Sequence, residues 1–158
     1  MSFTWPEGFE RVPSEEWTGL PLESLALKYD TVESHGWYRN LDLTVAQLVE
    51  YLQDEHVLLD YSGGTGILAE RLLREIPEGR FGILIVDSSP KFLRLALEKF
   101  GDNERMAFRL LRYLKQAKRL QLVQEICDAS LLDRGVDAVG CPAIAIHCVD
   151  YRAQRRRL

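Results

Sequence analysis

Two stretches of this chain hold the residue types that a small-molecule site needs. In VLLDYSGGTGILAERLL, Val57 to Leu73, an apolar run ends at the carboxylate of Asp60 and breaks into a turn containing Gly63, Gly64 and Gly66. A second apolar run, Phe81 to Val86, ends at Asp87 and is followed by Ser88, Ser89 and Pro90. A third carboxylate, Asp128, follows Leu122 to Ile126 in the segment CDAS. Carboxylates accept hydrogen bonds from hydroxyl and amino groups and attract cations. Glycines let a ligand approach the backbone closely. Together they describe binding chemistry at the ends of strands.

The charge of that ligand is constrained. A dinucleotide seats its pyrophosphate at a helix N-terminus behind glycines, and Gly64, Gly66 and Ala69 fit the G-x-G-x-x-A variant of that pattern. Asp87 suits a ribose in that reading also. Asp60 is the discordant residue, because a carboxylate beside a pyrophosphate is repelled at short range. A phosphate-free ligand that carries positive charge removes the objection. The nucleotide-dependent oxidoreductase is therefore the weaker alternative.

The elements that position these residues follow from periodicity. After the glycine turn, Ile67, Leu68, Leu72 and Leu73 share one helical face, and Pro77 and Gly79 end that helix in a turn. The spacing predicts a helix from Pro90 to Phe100, capped by Ser88 or Ser89 and closed by Gly101. Upstream, residues 1–22 carry three prolines and scattered aromatics and read as an irregular arm anchored by Phe3, Trp5, Phe9 and Trp17. A short helix is expected from Leu22 to Asp30, and another from Thr44 to Gln53, with Thr44 as N-cap and Gln47 completing a capping box. Asp102 to Leu120 reads as an amphipathic helix with Arg105, Arg109, Arg112 and Lys115 on a solvated face. Leu122 to Ile126 is the expected third strand. The fourth begins at Gly135 and continues through, or restarts at, Ala143 to Cys148. Strands alternating with helices predict a doubly wound, mainly parallel α/β sheet whose carboxyl edge gathers the three carboxylates.

Composition narrows the class. The 158 residues suffice for one compact domain, divided as an N-terminal arm with cap helices (1–55) and a cofactor-binding core (56–158). A net charge of −4 gives no global reason to expect nucleic acid, and the arginines at 152 and 155–157 read as a solvated helix end. Three cysteines, Cys127, Cys141 and Cys148, form neither a paired framework nor a close metal spacing, which suits a reduced, cytoplasmic compartment and no metal. The strongest apolar run is far too short to span a bilayer.

In motif order the chain resembles the class I S-adenosylmethionine-dependent methyltransferases. LLDYSGGTG matches their D/E-x-G-x-G-x-G motif, with Ser62 in place of the first glycine. IVDSSPKFLRLA resembles the second motif, CDAS the third, and GVDAV with AIAIH the fourth strand. YDTVESHGWYRNL is similar to the aromatic segment that covers the cofactor. The resemblance implies a Rossmann-like methyltransferase sheet, cut short after about the fourth strand, that binds S-adenosylmethionine and yields S-adenosylhomocysteine. It implies a cofactor site of Tyr38, Arg39, Asp60, Ser62, Gly63, Gly64, Thr65, Gly66, Asp87, Ser88, Asp128 and Ala129. In it Asp87 accepts from both ribose hydroxyls, Asp128 meets the adenine amino group, and the backbone of Ala129 meets the ring.

Each assignment has a plainer counterpart. Asp87 and Asp128 also suit helix caps, Trp37 and Tyr38 suit packing, Arg39 suits a surface salt bridge in place of the methionine carboxylate, and His147 suits a structural role as well as that of a general base. The implied reaction is methyl transfer to a small-molecule acceptor, with no residue assigned as its activating base. The alternative is a non-catalytic, dimerising homologue that at most binds the cofactor. Because an apolar fourth strand at the sheet edge leaves backbone groups unpaired, a homodimer through that edge is expected.

Overall fold

The computed structural model describes residues 3–5, 7–24, 27–28, 38–61, 63–110 and 144–148, with backbone alone at 38–40, 61 and 144–148. Its elements are α1 (Tyr38–Tyr51), β1 (Val57–Tyr61), α2 (Ile67–Glu75), β2 (Gly82–Asp87), α3 (Pro90–Phe100), β3 (Met106–Leu110) and β4 (Ile144–Cys148). A 3-10 turn, Glu16–Gly19, precedes them. All strand pairs are parallel, in the order β3-β2-β1-β4. The chain moves outward from β1 through β2 to β3, and β4 pairs on the other side of β1. The order therefore reverses at β1, which is where open α/β sheets hold ligands.

Strands β1, β2 and β3 pack on both faces, so they read as continuous apolar runs and not as alternation. Leu58, Ile83, Ile85, Met106 and Phe108 face α1, α2 and α3 through Leu41, Val45, Leu68, Leu72, Leu93 and Ala96. On the opposite face, Val57, Leu59, Leu84, Val86 and Ala107 pack against Phe3, with Trp5 and Phe9 completing the cover. The arm is irregular, as its prolines imply, and its aromatics do the work of a covering layer. Polar bonds fix it in place. Trp5 Nε1 donates to the Glu104 carbonyl at 2.8 Å, and Arg11 donates to the carbonyls of Gly101, Asn103 and Met106. The Phe108 amide donates to the Arg11 carbonyl at 3.0 Å, so the arm also meets the outer strand β3.

Two expected helices need correction. The segment 106–110 is a strand, not part of a helix from Asp102 to Leu120. Met106 and Phe108 enter the helix-side cluster while Ala107 enters the other, the period of two that a strand requires. Arg105 and Arg109 are not a solvated face either. Arg105 is 9% exposed and donates to the carbonyls of Ile76, Pro77 and Phe81. The Arg109 guanidinium lies over the Phe9 ring, 4.5 Å from its centroid, and donates to the Glu10 and Phe108 carbonyls. Helix α1 also starts at Tyr38, so Thr44 is interior and not its N-cap. Its buried face uses Leu41 and Val45, with Leu48, and Leu52 just past the helix end, partly buried, whereas Val49 is 39% exposed.

The expected strand at Leu122–Ile126, the segment CDAS and the start at Gly135 lie outside the described residues. The place beside β2 is held by Met106–Leu110. β4 agrees with the restarted form of the fourth strand, and among the described residues it is the outer strand opposite β3. No helix among the described residues is long and apolar enough to cross a membrane.

Candidate functional site: a glycine turn between two buried carboxylates

Asp60 lies two residues beyond Leu58, and Asp87 two beyond Ile85, so both carboxylates fall on the helix-covered face at the carboxyl ends of neighbouring strands. Asp60 is 1% exposed and Asp87 8%. The chain between β1 and α2 has to turn sharply over them. Its Gly66 amide donates to the Gly63 carbonyl at 3.0 Å, and its Gly63 amide donates to the Val86 carbonyl at 3.3 Å. Gly64 and Gly66 have φ of +58° and +85°, in the left-handed region where side chains are strained. The expected glycines are thus brought together, with Thr65 fully buried between them.

Gly63 is required for another reason. A Cβ there would lie 2.6 Å from Asp60 Oδ2 and 2.7 Å from its Cγ, so the carboxylate sits directly under the turn. Gly64 is buried but less tightly enclosed: a Cβ built on it would meet only ordinary contacts, Phe92 Cδ2 at 3.8 Å and Asp87 Oδ2 at 3.9 Å.

Asp87 organises the other side. Its Oδ2 accepts from the Gly64 amide at 2.8 Å and its Oδ1 from the Ser89 amide at 2.7 Å. Ser89 caps α3 by accepting from the Phe92 amide at 3.3 Å, with Pro90 at the first helical position, which selects Ser89 over Ser88 as the cap. The helix-cap reading of Asp87 is thus partly right: it joins strand end, cap and glycine turn. Its two oxygens offer about four acceptor positions, and these bonds leave capacity for ligand hydroxyls.

Burial pushes the Asp87 carboxyl above its ordinary range, and the nearby Asp60 pushes the same way, against the Ser89 and Gly64 amides, which pull it down. The folded chain therefore holds this proton more tightly than the unfolded chain. Stability from this group falls as pH rises from the ordinary value of 3.8 through the raised one, and the loss persists at neutral pH. On acidification from pH 7 toward pH 4, the wild type is expected to gain stability relative to Asp87→Asn. Urea midpoints of both proteins across that range measure it, and a constant difference contradicts it.

Other expected site residues are less closely defined. Ser88 is exposed at the bend after β2. Tyr38 and Arg39 open helix α1, but their side chains, like Ser62, Asp128 and Ala129, lie outside the described residues. His147 stands opposite Asp60 in the β1–β4 register, a placement that the sequence alone did not reveal. Phe92 at the turn was also missed as a site residue, since its spacing fits the apolar stripe of α3. Among the described residues no group of three His, Cys, Asp or Glu is arranged to hold a metal. An open groove between the arm and α3, lined by Val12, Thr18, Arg94, Leu97, Glu98 and Asp102, lies toward the opposite end of that helix. There Arg94 is committed to the Leu20 carbonyl and to Glu98.

No family model matches the chain, and no curated protein matches it. Solved structures similar to it include the cyclase SpnF, at 24% identity and TM-score 0.36, covering 45% of this chain and 27% of that one. A S-adenosylmethionine-dependent methyltransferase from Clostridium acetobutylicum is similar at 23% identity and TM-score 0.40, covering 56% of this chain and 35% of that one. A methyltransferase from Thiobacillus denitrificans, in complex with S-adenosylhomocysteine, is similar at 16% identity and TM-score 0.40, covering 61% and 41%. The chain thus spans less than half the length of each of these three.

Proposed function

We propose that this chain binds an adenosyl ligand, S-adenosylmethionine or S-adenosylhomocysteine, at the glycine turn, and that it serves methyl transfer to a small-molecule nucleophile. The observation that carries this reading is the pairing of two buried carboxylates, Asp60 and Asp87, at one glycine turn, with the Gly64 amide donating to Asp87. A pyrophosphate at the turn meets the Asp60 carboxylate, whereas a phosphate-free, cationic nucleoside is attracted to it, and Asp87 suits a ribose.

The described residues fit that group. Gly64 has no Cβ to fill the approach, and Asp87 keeps acceptor capacity for the two ribose hydroxyls. Asp60 supplies negative charge under the turn, complementary to a sulfonium and an ammonium. The motif resemblance alone assigns Arg39 to the methionine carboxylate, Tyr38 to the aromatic segment that covers the cofactor, and Asp128 and Ala129 to adenine. When bound, S-adenosylmethionine supplies an electrophilic methyl group, and the protein's part is to hold cofactor and acceptor in line.

Asp87→Ala is expected to weaken S-adenosylhomocysteine binding by about 1.5–3 kcal/mol, the range for hydrogen bonds to a charged group. Calorimetric titration measures this, with Asp87→Asn as the smaller change. Unchanged affinity in both variants contradicts the ribose assignment.

A further inference from the structure

Phe92 is a large, partly buried side chain. It lies in the first turn of α3, and its ring lies at the glycine turn: a Cβ built on Gly64 would stand 3.8 Å from Phe92 Cδ2 and 3.9 Å from Asp87 Oδ2. Hydrogen bonds join the same residues by a second route. The Gly64 amide donates to Asp87, the Ser89 amide donates to Asp87, and the Phe92 amide donates to Ser89 Oγ. Turn, strand end, helix cap and ring thus form a closed circuit. Gly64 needs such a circuit, because a glycine at φ +58° has no side chain of its own to hold it there.

We infer that Phe92 is a positioning residue for the adenosyl site: its ring confines Gly64 and screens the Gly64–Asp87 hydrogen bond from water, fixing the acceptor oxygens that the ligand meets. The inference rests on the proposed reading of this site. It is distinct in what it predicts for the protein alone. Without the ring, Gly64 regains its backbone freedom and the Asp87 bond is hydrated, while the sheet core keeps its packing.

The test measures amide hydrogen exchange without ligand and S-adenosylhomocysteine affinity, in wild type, Phe92→Ala and Phe92→Leu. In Phe92→Ala, exchange at the Gly64 amide is expected to rise about tenfold while Leu59 and Leu84 stay protected, the signature of a local opening. Affinity is expected to fall about tenfold, since small misplacements of binding groups are costly. Phe92→Leu, which keeps most of the apolar volume, is expected to restore most of both. Phe92→Val replaces the alanine variant if the latter does not fold. Unchanged exchange at Gly64 overturns the inference, and so does an equal rise at Leu59 and Leu84, which makes the role one of general packing. Unchanged affinity despite local opening overturns it as well. If the wild type does not bind the ligand, the functional reading fails, while Gly64 exchange still decides what Phe92 does to the turn.

Discussion

Gly66→Ala is expected to destabilise the folded chain by about 3 kcal/mol, combining a left-handed backbone penalty with overpacking. The position has φ +85°, and a Cβ there would lie 2.6 Å from the Phe100 ring and 3.1 Å from Ile85 Cδ1. Phe100 ends α3 and Ile85 lies in the centre of β2, so neither neighbour can yield without disturbing the helix-side core. The effect is read as a fall in urea midpoint with an unchanged slope. A change within a few tenths of a kcal/mol would mean that the turn is not held against α3 as described. Gly64→Ala makes a useful contrast. Its Cβ meets only ordinary contacts, so strain at φ +58° is the main loss, about 1–2 kcal/mol.

The second large effect lies at the opposite edge of the sheet. Arg105→Met is expected to cost about 3 kcal/mol, because charged hydrogen bonds to three carbonyls, that of Phe81 buried, vanish together. The guanidinium donates from Nε to the Phe81 carbonyl at 3.2 Å and from Nη1 to those of Ile76 and Pro77 at 3.2 and 3.0 Å. It also lies 4.4 Å from the centroid of the Phe81 ring. Ile76 is the C-cap of α2, so one side chain ties the helix end, the turn after it and the start of β2 to the start of β3. Methionine fills similar space and can satisfy none of those oxygens. Arg105→Lys, which keeps the charge but not the planar fork, is expected to fall between the two. Thermal unfolding of the three proteins measures this, and an Arg105→Met variant as stable as the wild type would contradict it.

Arg105 also explains what the sequence hid. β1, the glycine turn, α2, β2 and α3 were legible because apolar runs, glycines and a proline at a helix start act locally. The segment 106–110 was not. Its apolar residues are contiguous, so no alternation marks the strand, and the arginines at 105 and 109 suggested a wet helix face. Their burial is decided by carbonyls and an aromatic ring far away in sequence, in the turn at 76–77, the Phe81 backbone and the arm. No local pattern carries that information. The arm was legible as aromatic anchors, but its role as a cover for one face of β1, β2 and β3 depends on where Phe3 lands.

The site divides along the same line. Asp60, Asp87 and the glycines were legible as strand ends and a turn, and the sheet order brings them to one point. The Gly64–Asp87 bond and the Phe92 ring became visible only with the fold, because they join residues more than twenty positions apart.

The central claim is that this turn selects a phosphate-free adenosyl ligand. Calorimetric titration of the full chain with S-adenosylhomocysteine and, separately, with NAD tests it most directly. Saturable binding of S-adenosylhomocysteine with none of NAD is the predicted result. Binding of NAD with none of S-adenosylhomocysteine would contradict the account, and so would binding of neither.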